Sequence, residues 1–327
     1  MINDGRSLYF SYAERLKQPG ELVPVIISFF HEDATINIVH PFNQINGPKG
    51  YLEHFLLPLQ DSLQGLYRRD DIVMLGEFEG NKWISSTGYY VGQFTKDWVG
   101  IKASGNLSYL RYGEFHRIGN GRAVESYIFL DIPELMIACN QWPLDIGPGH
   151  SRGYTGLIQG PASHDGVLKQ NCDPKEGKLS YQIVTDMLSN LATKDEAWRP
   201  YWHKNMMWYG PGAFGSFIGL EEFASFQVPF ESQFEGWSGG SKNNGLTKHF
   251  TRFGEGNYIC SGGWPSLTGI NVKPFLGQEP TNERIFMRVC DWWRRENQLL
   301  VENWVFVDVP HALLQLGYDP LPNWQIN

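Results

Sequence analysis

Several ingredients are scarce in this chain, and each scarcity excludes something. Cysteine is limited to Cys139, Cys172, Cys260 and Cys290, with no CxxC pair and no histidine at ligand spacing. That scatter speaks against a zinc site or a disulfide framework and reads as buried free thiols. No stretch approaches the roughly 18 apolar residues of a membrane span. The opening "MINDGRSLYFSYAERLKQPG" lacks a basic start followed by an apolar run, so a cytoplasmic chain is expected, with no membrane partner. Basic blocks are missing as well, and a formal charge of -8 leaves little to neutralise a phosphate backbone, so no nucleic-acid partner is expected. The Gly-rich "WYGPGAFGSFIG" at 208–219 lacks the Lys-Ser/Thr of a phosphate loop and does not fit a dinucleotide fingerprint. It reads as a turn or a lid. No Ser or Cys nucleophile motif occurs, which lowers the odds of covalent hydrolysis.

What is abundant is aromatic. Twelve Trp and 14% aromatic residues imply large apolar surfaces able to line a cavity as well as fill a core. With 327 residues and 42% hydrophobic content the chain exceeds one ordinary core, and two domains are expected.

The two domains are copies. "FFHED" at 29–33 falls on "YWHKN" at 201–205, placing His31 over His203 and Asp33 over Asn205. "FLLPLQDSLQGL" at 55–66 falls on "FQVPFESQFEGW" at 226–237, pairing Pro58 with Pro229 and Gly65 with Gly236. "VESYIFLDIP" at 124–133 falls on "VENWVFVDVP" at 301–310, pairing Glu125 with Glu302, Tyr127 with Trp304 and Asp131 with Asp308. A register this steady marks an internal repeat. Domains over 1–148 and 178–327 follow, with the Gly/Pro-rich 149–177 as linker. In each copy helices come first, over "RSLYFSYAERLKQ" and "LSYQIVTDMLSNLAT", then two hairpins with Gly-Asn, "GNG" and "REN" turns, then a short last helix. Helices covering one face of a curved antiparallel sheet is an α+β pattern.

Side chains alternate along a strand, so Glu302, Trp304, Phe306 and Asp308 share one face and Asn303, Val305 and Val307 the other. If the aliphatic face packs under the helices, the aromatic face closes a cavity and Asp308 stands at its rim. A carboxylate among rings loses solvation, which lifts its pKa from about 3.9 towards neutrality and makes it a proton acceptor. Asp131 has the same setting in the first copy. It also has a competing reading, because Asp131, Pro133 and Glu134 form a capping box, and a cap is a poor base. His311 replaces that Glu in the second copy, so Asp308 is the better candidate.

The order "YWHKNMMWYGPGAFGSFIGLEEF", a hairpin ending "GGWPSLTG", then "ENWVFVD" and "LLQLG" resembles the SnoaL-like polyketide cyclases of the nuclear transport factor two-like superfamily. The resemblance spans both halves. It implies two tandem cone-shaped α+β barrels with a deep apolar pocket, cystatin-like in fold. It further implies an Asp closing the late strand that works as acid/base without cofactor or metal, a role that maps onto Asp308 and Asp131. Single-domain cyclases of this kind associate through their sheets; the tandem carries its own pseudo-dimer within one chain and leaves a further homodimer open. The expected partner is a small apolar or aromatic carbonyl compound, cyclised or isomerised by proton transfer. His203 and His31 suit a hydrogen bond to a substrate carbonyl. Asn205, Trp208, Tyr209 and Trp264 extend the wall with Trp304 and Tyr127, while His249 and Arg288 stand on strands where they can hold a carboxylate or enolate. "DWWRREN" reads as a solvated strand end in which one of two adjacent Trp must point inward. A non-catalytic binder whose Asp residues are only caps, and a hydrolase using Asp to activate water, stay open as alternatives.

Overall fold

The computed structural model describes residues 3–18, 20–147, 158–191, 196–239, 245–321 and 324. Two compact units result: Met1–Trp142 with Gly160–Gln170 and Leu321–Asn327, and Pro143–Gln159 with Asn171–Pro320. Each is an α+β unit built on one antiparallel-dominated sheet.

In the first unit, α1 (Asn3–Leu16) and α2 (Leu22–Phe29) precede β1 (Phe30–Ile38) and β2 (Asn43–Asn46). Leu22, Val25, Ile26 and Phe29 of α2 are buried at helical spacing, the stripe that docks it. Next comes α3 (Gly47–Tyr51), which runs through a π-helical turn (Leu52–Leu56) into α4 (Leu57–Ser62). Strands β3 (Leu63–Phe78), β4 (Asn81–Phe94), β5 (Leu107–Gly119) and β6 (Arg122–Leu130) follow, then α5 (Ile132–Ala138). The sheet order is β2-β1-β6-β5-β4-β3, with β1 parallel to β6 and the other pairs antiparallel.

The second unit repeats this with α6 (Pro174–Ser189), β7 (Trp202–Tyr209), β8 (Ser216–Ile218), α7 (Leu220–Glu231), β9 (Phe234–Gly239), β10 (His249–Glu255), β11 (Tyr258–Asn271), β12 (Arg284–Glu296), β13 (Leu299–Val307) and α8 (Val309–Gln315). Its order is β10-β11-β12-β13-β7-β8, again with one parallel pair, β7 and β13. The single β3 of the first unit corresponds to β9 and β10, both paired with β11. The repeat reaches the backbone: Gly65 and Gly236 both take positive φ, 72° and 59°, where the strand after the helix shifts register.

Two expectations need correction. The segment 149–177 is not a plain linker: Val167 bridges Val73 in the first unit, and α6 begins at Pro174. Asp173 accepts the Lys175 N–H at 2.9 Å, with Pro174 opening the helix, so "DPKEGK" is a helix start. The rest of the expected linker, up to 157, lies outside the described residues. Both leading helices begin earlier than the periodicity predicts, at Asn3 and Pro174. Among the described residues no helix is long and apolar enough to cross a membrane.

Candidate active site

In the second unit the helices and the sheet line a cavity of about 100 Å³. Alternation selects its strand wall: Val289, Asp291 and Trp293 on β12, and Asn303, Val305 and Val307 on β13. Facing them are rings, Trp208 from β7 with Phe223, Phe226 and Phe230 from α7. These rings form one cluster, Trp208 lying tilted 5.3 Å from Phe223 and 5.2 Å from Phe226.

The strand face is therefore the reverse of the one expected. The cavity is the gap between helices and sheet, so the face that packs under the helices is the face that lines it. Glu302, Trp304, Phe306 and Asp308 look the other way. There Glu302 pairs with Arg294 at 2.5 Å and accepts from the Tyr209 hydroxyl at 3.2 Å. Trp304 stacks on Tyr209 at 5.3 Å and donates its indole N–H to the Gln159 carbonyl at 2.9 Å. Asp308 caps α8, accepting the His311 N–H at 3.2 Å, and accepts from Arg288 at 3.0 Å. Arg288 in turn lies over Trp264, 4.2 Å from the ring centre. The first unit is built alike. Asp131 accepts from the Glu134 N–H at 3.2 Å and from Arg111 at 2.9 Å, and Glu125 holds Arg117 at 2.7 Å and the Tyr127 hydroxyl at 2.8 Å. The repeated Glu-aromatic-aromatic-Asp strand is thus a twice-used anchor between sheet and last helix.

His203 and His31 also share a local role: each Nδ1 accepts a backbone N–H two residues on, from Asn205 and Asp33, at 3.2 Å. Asn205 is exposed. Of the residues singled out by sequence, the cavity wall gathers Trp208 and His249.

Around His249 lies a polar strip crossing four neighbouring strands. Ser261 on β11 stands opposite Asp291 on β12 and opposite Arg252 on β10. The Ser261 hydroxyl accepts from Arg252 Nε at 3.2 Å and meets His249 Nδ1 at 3.1 Å; Arg252 Nη2 also points at that Nδ1, at 3.4 Å. A guanidinium can only donate, so Nδ1 is the acceptor and the ring proton sits on Nε2, within 3.4 Å of the Ser266 hydroxyl. Burial and then the Arg252 charge push the His249 pKa down to about 3, which keeps the ring neutral. Asn303 Nδ2 reaches the Asp291 carboxyl at 3.4 Å. Burial pushes that carboxyl up to about 7, against the opposing pull of Asn303 and Arg252. Asp291 is half-buried and lines the cavity.

The sequence held a signal for Asp291. In "DWWRREN" alternation places Asp291 with Trp293 and opposite Trp292, and Trp293 is the inward one, Trp292 packing instead on Phe306. The two arginines suggest solvent, but both are buried: Arg294 pairs with Glu302, and Arg295 donates to Ser180 Oγ at 2.7 Å and to Glu176. Strand β12 thus runs on to Glu296, and the turn falls at Asn297, whose φ is 54°.

The same positions in the first unit hold other chemistry. Glu114 stands for Asp291, His116 for Trp293 and Ser126 for Asn303. Arg68 donates to both Glu114 oxygens, at 3.0 and 2.9 Å, and to the hydroxyls of Tyr90 at 3.0 Å and Tyr9 at 2.9 Å. His116 bridges Ser126 at 2.8 Å and Glu114 at 3.3 Å. All are buried. Burial alone would raise Glu114, but Arg68 and His116 outweigh it and hold the carboxyl at about 2.

No protein-family model matches the chain, and no curated protein does. Solved structures do. The similar structures include SnoaL-like polyketide cyclases and a protein with a ketosteroid isomerase-like fold. A protein of Jannaschia sp. CCS1 described as a SnoaL-like polyketide cyclase is 15% identical over 46% of this chain and 99% of its own, with a TM-score of 0.38. A protein of Streptomyces galilaeus described as a hydroxylase matches at 14% over 42% and 95%, TM-score 0.35. An LEH-like epoxide hydrolase of M. tuberculosis matches at 13% over 43% and 91%, TM-score 0.33. Each spans under half of this chain and nearly all of itself.

Proposed function

We propose that the second unit catalyses cofactor-independent proton transfer on a small, largely apolar carbonyl compound, with Asp291 as the acid/base. One observation carries the reading: a carboxyl set in an aromatic-walled cavity, beside a neutral histidine whose Nε2–H, now meeting the Ser266 hydroxyl, can donate. As carboxylate, Asp291 takes the proton from the carbon next to the carbonyl. The C–H electron pair becomes an enolate, and its oxygen takes hydrogen bonds from His249 Nε2 and from the Ser261 hydroxyl when that hydroxyl turns away from Nδ1. Protonated Asp291 then returns the proton at another atom, giving isomerisation, or the enolate carbon bonds to a second carbonyl carbon, whose π pair moves to its oxygen, and that alkoxide takes the proton from Asp291 in an aldol step. A pKa near 7 suits both directions. Asp308 and Asp131 are assigned to holding the last helices.

The decisive test follows hydrogen–deuterium exchange next to the carbonyl of an enolisable ketone in D₂O by NMR. Exchange saturable in ketone, abolished in Asp291→Asn and kept in Asp308→Asn, is the expected result. Exchange unchanged in Asp291→Asn would sink the reading, and binding with no exchange at all would leave a non-catalytic binder. The amide of Asn303 beside Asp291 can also hold a water, the arrangement a hydrolase needs; label from H₂¹⁸O in the product would identify that chemistry instead.

A further inference from the structure

The polar groups that the sheet brings to the cavity have a counterpart on the helix side. On α7 the lining residues are Phe223, Phe226, Gln227 and Phe230, spaced i, i+3, i+4 and i+7 along one helical face. Among these rings stands one amide, only 8% exposed. Burying an amide in apolar surroundings is costly unless its groups find hydrogen bonds. Gln227 meets half of that need: Nε2 donates to Glu231 Oε1, one helical turn on, at 2.7 Å. A carboxylate only accepts, so this bond fixes which end of the amide is nitrogen. The other end, Oε1, accepts from no protein group among the described residues, yet it is not sealed from water.

The fold does not require this amide. The repeat sets Leu56 at the position of Gln227, "FLLPLQDSLQGL" over "FQVPFESQFEGW", and Leu56 is 2% exposed in the first unit. Pro58 and Pro229 follow two residues later, so the same turn is built with an apolar side chain. Gln227 therefore joins Asp291, Trp293 and Asn303 at the positions where the copies part and the second unit has its cavity. We infer that Gln227 Oε1 faces the cavity and selects a substrate that carries a hydroxyl as well as its carbonyl. This rests on the proton-transfer reading for the place of the carbonyl and adds a second recognised group. The carbonyl meets His249 and Asp291 on the sheet while the hydroxyl donates to Gln227 on the helix, and the two contacts together set which carbon is presented to Asp291. A ligand without the hydroxyl takes water away from Oε1 and gives nothing back, and that unmade bond is the basis of selection.

The test compares hydroxy ketones with their methyl ethers and with the unsubstituted ketones. Binding is read from tryptophan fluorescence, since Trp202, Trp208, Trp237 and Trp293 line the cavity. The probes are 4-hydroxycyclohexanone and the 2-tetralones hydroxylated in turn at each open aromatic carbon, so that the span from carbonyl to donor varies. At least one hydroxy ketone is expected to bind about tenfold tighter than both its ether, which cannot donate, and its parent, a difference of about 1.4 kcal/mol. Gln227→Leu, which copies the first unit, should remove that preference, and so should Gln227→Met, with the folding of each checked by circular dichroism. A residue that only braced the helix through Glu231 would, when replaced, move all three affinities together. Ethers binding as tightly as the hydroxy ketones, a preference that survives both substitutions, or no binding by any hydroxy ketone would each overturn the role of Gln227. Deuterium exchange on the same samples separates the two readings. If the preference needs Gln227 while exchange is the same in Asp291→Asn, the role of Gln227 stands and the proton-transfer reading falls. If exchange needs Asp291 but the hydroxyl brings no preference, the reverse holds.

Discussion

The two units share a sheet order, a strand register and an outer-face anchor, yet they treat the space between helices and sheet in opposite ways. In the first, Arg68 reaches in from β3 and is answered by Glu114, Tyr9 and Tyr90, with His116 completing the set. In the second, the position of Glu114 carries the shorter Asp291, that of His116 carries Trp293, and the wall opens onto a cavity. In the ion-paired interior the carboxyl, at about 2, is committed to the charged form. The hollow interior leaves a carboxyl at about 7 that can exchange its proton. One fold fills this space with paired charges in the first unit and leaves a cavity beside a carboxyl in the second.

The sharpest way to break this comparison is to unmake the first interior. Arg68→Met strands Glu114 as a buried, uncompensated charge and should cost about 3–5 kcal/mol of stability in denaturant unfolding. The ketone affinity of the second unit should be unchanged wherever the protein remains folded, and a parallel loss would erase the division of labour.

Next in size is Asp291→Asn, whose effect depends on pH. The folded pKa of Asp291, about 7, is above its ordinary 3.8, so the native state holds a proton that the unfolded chain has released. Its contribution is fully present below about pH 4 and is lost as pH rises to about 7. The Asn variant should therefore match the native protein near pH 4 and exceed it above pH 7, by on the order of a few kcal/mol. His249 works with the opposite sign: its folded pKa of about 3 is below the ordinary 6.5, so its contribution is lost as pH falls from about 6.5 to 3. The variant should lose only the Asp291 part of the slope, the part from Glu134, which burial and the Asp131 charge push up to about 8, remaining; a native-like pH profile would show that Asp291 is not desolvated.

Smaller effects test the shared anchor. Asp131→Ala and Asp308→Ala should each lower stability by about 1–3 kcal/mol, from the lost cap and the stranded arginine, with cavity binding intact. Unequal losses would show that the copies have diverged there too. Smallest is Glu125→Gln. Arg117 and Glu125 are partly solvated, with side chains 33% and 27% exposed, whereas Arg294 and Glu302 are at 6% and 4%. The first substitution should cost under about 1 kcal/mol, and Glu302→Gln clearly more.

Most of the fold was legible in the residues, because a repeat supplies each element twice. Gly65 with Gly236 and Asp131 with Asp308 marked equivalent backbone events, a bulge and a helix cap. The site was less legible, for a physical reason. Alternation gives the two faces of β13 but not which one looks into the cavity, and the face with Glu302 and Asp308 is the one that looks away from it. Residues that recur in both copies report what both copies need, which is scaffolding. Asp291, Trp293 and Asn303 differ from Glu114, His116 and Ser126, and it is this divergence between the copies that marks the cavity. Trp208 and His249 were reached because aromatic and imidazole side chains are conspicuous; Ser261 and Asp291 gain their meaning from Arg252 across the sheet, a proximity no local pattern carries.

Helix α6 supplies Met187 and Leu188 to the cavity, and its height over the sheet is fixed by two absent methyl groups. A β-carbon on Gly177 would fall 2.6 Å from the Gly254 carbonyl oxygen, and one on Gly254 would fall 2.2 Å from that of Gly177. Backbone touches backbone there, so an alanine at either position has nowhere to go except by lifting the helix. The chamber can in this way be made taller by a change that leaves every side chain lining it untouched, and evolution could have resized its contents from outside the room.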